Sequence, residues 1–116
     1  MRHQKNKVTL DRTASARRSL LANLAESLII YERIITTKAK AKAVEKVVDQ
    51  LITTSKKKDL ASRRKLQKYL YTENVVKKLM EELSGRYAER KGGYTKIYLM
   101  APRKGDGAEQ AMVELV

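Results

Sequence analysis

Lys38-Ala39-Lys40-Ala41-Lys42-Ala43 alternates charged and small residues with a period of two, the pattern of a half-buried strand. Its composition says otherwise. Alanine and lysine favour helices, and no β-branched residue appears until Val44. Placed at 100° per residue, Ala41, Val44, Val48, Leu51 and Ile52 fall on one stripe, while Lys38, Lys42 and Lys46 fall on another side. A helix with one buried face and one cationic face separates its residues in this way. The stretch therefore predicts a helix. The preceding Arg33-Ile34-Ile35-Thr36-Thr37 is short and β-branched, so it reads as a strand, with Thr37 as the cap of the helix after it.

Working outward, Leu20, Leu21, Leu24, Leu28 and Tyr31 recur at helical spacing within 14–31, with Thr13 as N-cap and Arg17, Arg18, Asn23 and Glu26 on a polar side. Downstream, Lys56-Lys57-Lys58 suits the negative end of a helix dipole. Asp59 should cap a shorter helix carrying Arg63, Arg64, Lys65 and Lys68. Thr72 should cap another, with Val76, Leu79 and Leu83 inward and Gly85 as its stop. Residues 86–93 read as a basic loop. Residues 94–101 and 110–116 alternate as two strands, joined into a hairpin by the turn chemistry of Pro102 to Gly107. The expected architecture is α+β in two layers: four helices over a small three-stranded sheet, in the order α-β-α-α-α-β-β. One domain is expected over 1–116, with 1–12 as a basic extension and 13–116 globular.

Charge bounds the function. Lys and Arg number 26 against 13 acids, a net of +13. Self-repulsion of that size disfavours a compact state unless a polyanion cancels it, which points to nucleic acid. The chain has six Tyr but no Phe or Trp, so its core is thin. Without cysteine, disulfides and thiolate metal sites are excluded. The longest apolar run, Leu28 to Tyr31, is far shorter than the ~20 residues of a membrane span. A cytoplasmic protein with no membrane partner is expected.

Enzyme readings lack parts. His3 is the sole histidine, so neither a catalytic triad nor a histidine metal cluster can be built. No catalytic residue, metal, cofactor or small-molecule substrate is expected, nor a homo-oligomer. The opening MRHQKNK has no period and reads as an arm along a polyanion. Gly92-Gly93 would let the backbone approach a phosphate or turn sharply, and Tyr94 could either pack in the core or stack on a base.

Met1-Arg2-His3 with Lys5, Leu10 and Arg12 begins a longer pattern. It continues through Asn23-Leu24-Ala25, Ser27-Leu28, Ile35-Thr36-Thr37, Lys40-Ala41-Lys42, Leu51-Ile52-Thr53, Asp59-Leu60 and Arg63-Arg64. It ends in Arg86-Tyr87, Arg90, Gly92-Gly93-Tyr94-Thr95-Lys96-Ile97, Arg103, Gly105-Asp106, Ala108 and Glu114-Leu115. Over essentially its whole length the chain resembles the bacterial large-subunit ribosomal protein L17 family. The resemblance implies a structural constituent of the large ribosomal subunit, bound to large-subunit ribosomal RNA beside neighbouring ribosomal proteins.

Matching positions and cation clusters together give the expected RNA contacts. They are Arg2, His3, Lys5, Lys7 and Arg12 in the arm; Arg17 and Arg18; Lys38, Lys40 and Lys42; Arg63 and Arg64; Arg86, Arg90, Lys91, Gly92, Gly93, Tyr94 and Lys96; and Arg103 and Lys104. Recognition should be by shape and backbone, because A-form grooves hide base edges. The alternative is a DNA-binding architectural protein, although no intercalating wedge or dimer seam is evident.

Overall fold

The Lys-Ala stretch is helical. In the computed structural model, which describes residues 13–116, helix α2 runs Lys38–Ser55. The expected arm, with Arg2, His3, Lys5, Lys7 and Arg12, lies outside the described residues. Helix α1 is Ala14–Tyr31, strand β1 Arg33–Thr37 and helix α3 Leu60–Tyr69. The fourth helix, α4, begins as Glu73–Lys78, widens through a π-helical stretch Leu79–Leu83 and closes with Ser84–Arg86. Strands β2 (Thr95–Met100) and β3 (Gln110–Leu115) complete the order expected from the sequence.

The sheet is antiparallel throughout, in the order β1-β3-β2. Its last strand is therefore its centre. Burial along β3 alternates: Ala111, Val113 and Leu115 point inward, and Met112 and Glu114 outward. The stripe of α2 packs on the inner face, with Ala41, Val44, Val48, Leu51 and Ile52 all buried. α1 and α4 add Leu28, Ile29, Val75, Val76, Leu79 and Leu83 to the same core.

Two helix starts follow the expected capping chemistry. The Thr13 hydroxyl accepts from the Ala16 amide (3.3 Å), and the Asp59 carboxylate accepts from the Ser62 amide (2.7 Å). Thr37 and Thr72 occupy N-cap positions but make no side-chain cap bond. At α4 the anion comes from a distance: Glu26 of α1 accepts from the Tyr71 and Thr72 amides, each at 2.7 Å.

Two local expectations change. The leucine stripe of α1 is rotated: Ala22, Ala25, Leu28 and Ile29 are buried, whereas Tyr31 is 73% exposed. Alanine lets the helix backbone come close to its neighbours, so the small residues take the contact and Leu20, Leu21 and Leu24 flank it. Nor does Gly85 stop α4, which runs one residue further. The chain stays helical until Tyr87 reaches the core, where its hydroxyl donates to the Val116 carbonyl at 2.7 Å.

Between α1 and β1, Glu32 adopts the left-handed conformation (φ 63°). Its carboxylate receives both Arg86 nitrogens, at 2.7 and 3.0 Å, and Lys78 Nζ at 2.9 Å. Its backbone carbonyl accepts from the Leu115 amide. Glu32 thus ties α1, α4 and β3 together. The hydrogen bonds from Arg86, then from Lys78, hold its carboxyl down at about 2 against an ordinary 4.5. A depressed carboxylate contributes stability that is complete above the ordinary value and is lost as pH falls through the folded one. The Glu32 side chain is 36% exposed, so solvent screening leaves only about 1 kcal/mol. Glu32→Gln should therefore cost about that at neutral pH. The gap from wild type should close as pH falls from 4.5 towards 2, measured by urea melts. A gap independent of pH would dismiss the ion-pair account.

Candidate nucleic-acid interface

Cations gather at both ends of α2 and along its outer side. At the N-terminus the Lys38 amide donates to the Glu109 carbonyl (3.0 Å), which seats the β2–β3 turn against the helix start. Thr37, Lys38, Ala39, Lys42, Ala108 and Glu109 line an open cleft there. The first turn of α2 contains no acid. In the turn, Asp106 grips Arg103 through two bonds (3.1 and 2.5 Å) and receives the Ala108 amide (3.1 Å). That leaves Lys104 exposed beside the cleft's hairpin wall. One turn along the helix, Lys42 and Lys46 are exposed, and neither has an ion-pair partner among the described residues. Lys40 is half-buried on the flank.

At the C-terminus Lys56 turns inward instead. Its ammonium donates to the Tyr94 hydroxyl (2.8 Å) and to the Arg90 carbonyl, and lies 5.0 Å from the centre of the Tyr94 ring. This pins the 90–94 loop to the end of α2. The bond joins the end of α2, where Lys57 and Lys58 are exposed, to a loop more than thirty residues on, where Arg90 and Lys91 are exposed. Arg90 Nε donates to the Gly93 carbonyl (3.2 Å). Gly92 and Gly93 have φ of 150° and 62°, a conformation that disfavours any side chain. A cradle of backbone and cations results.

Tyr94 itself is a correction. Its ring is 1% exposed, lies 5.1 Å from the Tyr87 ring at 54°, and is covered by Lys56. It cannot stack on a base. Its hydroxyl donates to the Arg90 carbonyl (3.1 Å). Burial, and then Glu45 nearby, push the Asp49 carboxyl above its ordinary value, and its Oδ1 has no partner among the described residues. Tyr94 organises the loop from below. Arg86, also among the expected contacts, is engaged within the chain: its guanidinium meets Glu32 and Glu82 and lies 5.7 Å from the Tyr87 ring, so it contributes to holding the fold.

A further group lies where α1 meets α3. Arg18 donates to the Lys68 carbonyl (2.7 Å) and covers the Tyr69 ring at 5.2 Å. Arg17 occupies the same turn of α1. Arg63 stands 3.6 Å from Glu73, whereas Arg64, Lys65 and Lys68 are exposed on α3. Lys96 lies elsewhere, on the outer face of the sheet. The sequence-based set omitted Lys46, Lys57, Lys58, Lys65 and Lys68. Lys46 was legible from its spacing with Lys38 and Lys42, and Lys65 and Lys68 from the helix they share with Arg64; Lys57 and Lys58 are placed by packing.

The acids behave differently from the cations. Glu26, Glu45, Asp59 and Glu32 hold helix ends, strand entries or the α1–β1 corner. Glu73, Glu82, Asp106, Glu109 and Glu114 meet cations of this chain. Most of the described acids are thus engaged by groups of the same chain, with Glu81 and Glu89 exposed, and the surplus charge of the surface is positive.

Comparison with known proteins places the chain in a family. The family model described as ribosomal protein L17 matches residues 20–116. The chain is 48% identical over 107 residues to the large ribosomal subunit protein bL17 of Caldanaerobacter subterraneus, covering 92% of this chain and 96% of that one. It is 52% identical over 116 residues to bL17 of Solibacter usitatus, covering 100% of this chain and 77% of that one. The bL17 of Staphylococcus aureus is 50% identical over 117 residues, covering 92% and 96% respectively. On a match of this extent, the chain belongs to the ribosomal protein L17 family.

Proposed function

We propose that this protein is a structural constituent of the large ribosomal subunit, in the cytoplasm, and that it holds large-subunit ribosomal RNA against the outer side of α2. The observation that carries the reading is the division of charge. The described acids are mostly spent on internal bonds, while Lys42, Lys46, Lys57, Lys58, Arg64, Lys91 and Lys104 are exposed without an ion-pair partner among the described residues. Helix α2 is about 27 Å long at 1.5 Å per residue, so its two end groups bracket several phosphates of one RNA strand or two strands of a fold. The Gly92-Gly93 backbone and the α2 N-terminal amides supply donors of fixed geometry beside the mobile lysine charges. No side chain in this surface is arranged for bond making, and the protein acts as a binding scaffold, not an enzyme.

Shape is what separates this reading from DNA compaction, since both use the same charge. A folded large-subunit rRNA fragment should bind tighter than duplex DNA of equal charge at matched salt. The endogenous protein should sediment stoichiometrically with large subunits through a high-salt wash. Log affinity should fall steeply with log salt, with a slope of about −4 to −7 for five to eight phosphate contacts. Equal affinity for both nucleic acids at every salt concentration, without large-subunit association, would leave the DNA reading standing instead.

A further inference from the structure

Among the described residues, the helices cover one face of the sheet. On the other face the register places three rows across the strands: Arg33, Glu114 and Lys96; Ile35, Met112 and Tyr98; and Thr37, Gln110 and Met100. Ile35 is 56% exposed, Tyr98 43% and Met100 44%. Leu99, on the reverse side of the edge strand β2, is 69% exposed, so the apolar surface continues round that edge.

We infer that this open face of the sheet docks another polypeptide of the subunit, through an apolar segment that carries a carboxylate opposite Lys96. The inference rests on the ribosomal reading above and divides the surface into an RNA side and a protein side. Charge is the first argument. The face holds three charges, and two cancel: Arg33 donates to Glu114, with its Nη2 at 2.8 Å. In a chain of net +13, this is a poor surface for phosphates, because Glu114 repels them and only Lys96 attracts. It also suits a base poorly. RNA-binding sheets stack two or three bases on several rings, and here Tyr98 stands alone between methionines and an isoleucine.

Polypeptide interfaces, by contrast, concentrate Tyr and Met in a charge-depleted centre with charge at the rim. Lys96 sits at that rim two residues from Tyr98, on the same face of β2, and has no ion-pair partner among the described residues. Its match is an acid on the partner. A second copy of this chain fits less well, because two bodies of +13 repel. Lys96 therefore passes from the expected RNA contacts to this surface.

The test places a photo-cross-linking p-benzoylphenylalanine at position 98, and separately at position 42, in cells, and irradiates purified large subunits. Position 98 should form an adduct with a peptide of another ribosomal protein, with Asp or Glu within a few residues of the adduct. Adding Lys96→Glu should lower its yield by about fivefold or more. An adduct with RNA, with a second copy, or with a peptide lacking a nearby acid would overturn the inference, as would no adduct or an unchanged yield. Position 42 reports on the RNA reading separately. If it gives no RNA adduct and the protein is missing from subunits, that reading fails by itself.

Discussion

Tyr94→Ala should lower stability by about 3–5 kcal/mol, the cost of emptying a buried aromatic site, and shift the melting temperature by roughly 4 °C for each kcal/mol. The ring is 1% exposed and packs on Tyr87 under Lys56. Tyr94→Phe separates the ring from its hydroxyl. It keeps the packing but loses the bond from Lys56 and the bond to the Arg90 carbonyl. About 1–2 kcal/mol should go, and hydrogen exchange should rise at the amides of residues 90–93 before the core opens. Denaturant melts of both variants, with exchange read by mass spectrometry, give the result. A stacking ring predicts the reverse pattern. Both variants would then melt like wild type, Ala would lose RNA affinity, and Phe would bind normally.

Lys42→Ala with Lys46→Ala should leave the melting temperature nearly unchanged, since both side chains are exposed without an ion-pair partner among the described residues. Affinity for an rRNA fragment should fall by roughly one to two orders of magnitude near 0.15 M salt. The slope of log affinity against log salt should flatten by about 1.4 to 1.8, two phosphate contacts' worth. Arg86→Ala is the contrasting variant. It removes the same charge per residue but breaks the Glu32 pair, so it should lose stability and keep the slope. Salt titrations by fluorescence anisotropy on all three proteins decide between a surface that reads phosphates and a diffuse positive charge. If Arg86→Ala flattens the slope as much as a lysine does, the division between internal and outward cations is wrong.

The elements, their order and the sign of the surface were all readable from the chain before folding. The helix at 38–55 was legible because the α2 stripe has a period that only a helix can bury, and alanine and lysine propensities agree with it. Strand β3 was legible from its alternation. The net charge and the absence of cysteine needed no structure at all. For α1 the sequence showed a helix but not which side is buried, because apolar residues occur on several sides and the close fit of Ala22 and Ala25 depends on the neighbours. Which cations are paired within the fold was likewise beyond local reading. Arg86 and Arg90 look alike in the chain, yet Glu32, fifty-four positions away from Arg86, turns one into an ion-pair contact of the fold while the other has no carboxylate partner among the described residues. Tyr94 became a core ring because Lys56 and Tyr87 close over it, and the Arg90 loop reached the end of α2 through the same Lys56. Periodicity and composition act through the local chain. Charge pairing and burial depend instead on which distant groups the fold brings within a few ångströms, and no local pattern encodes that.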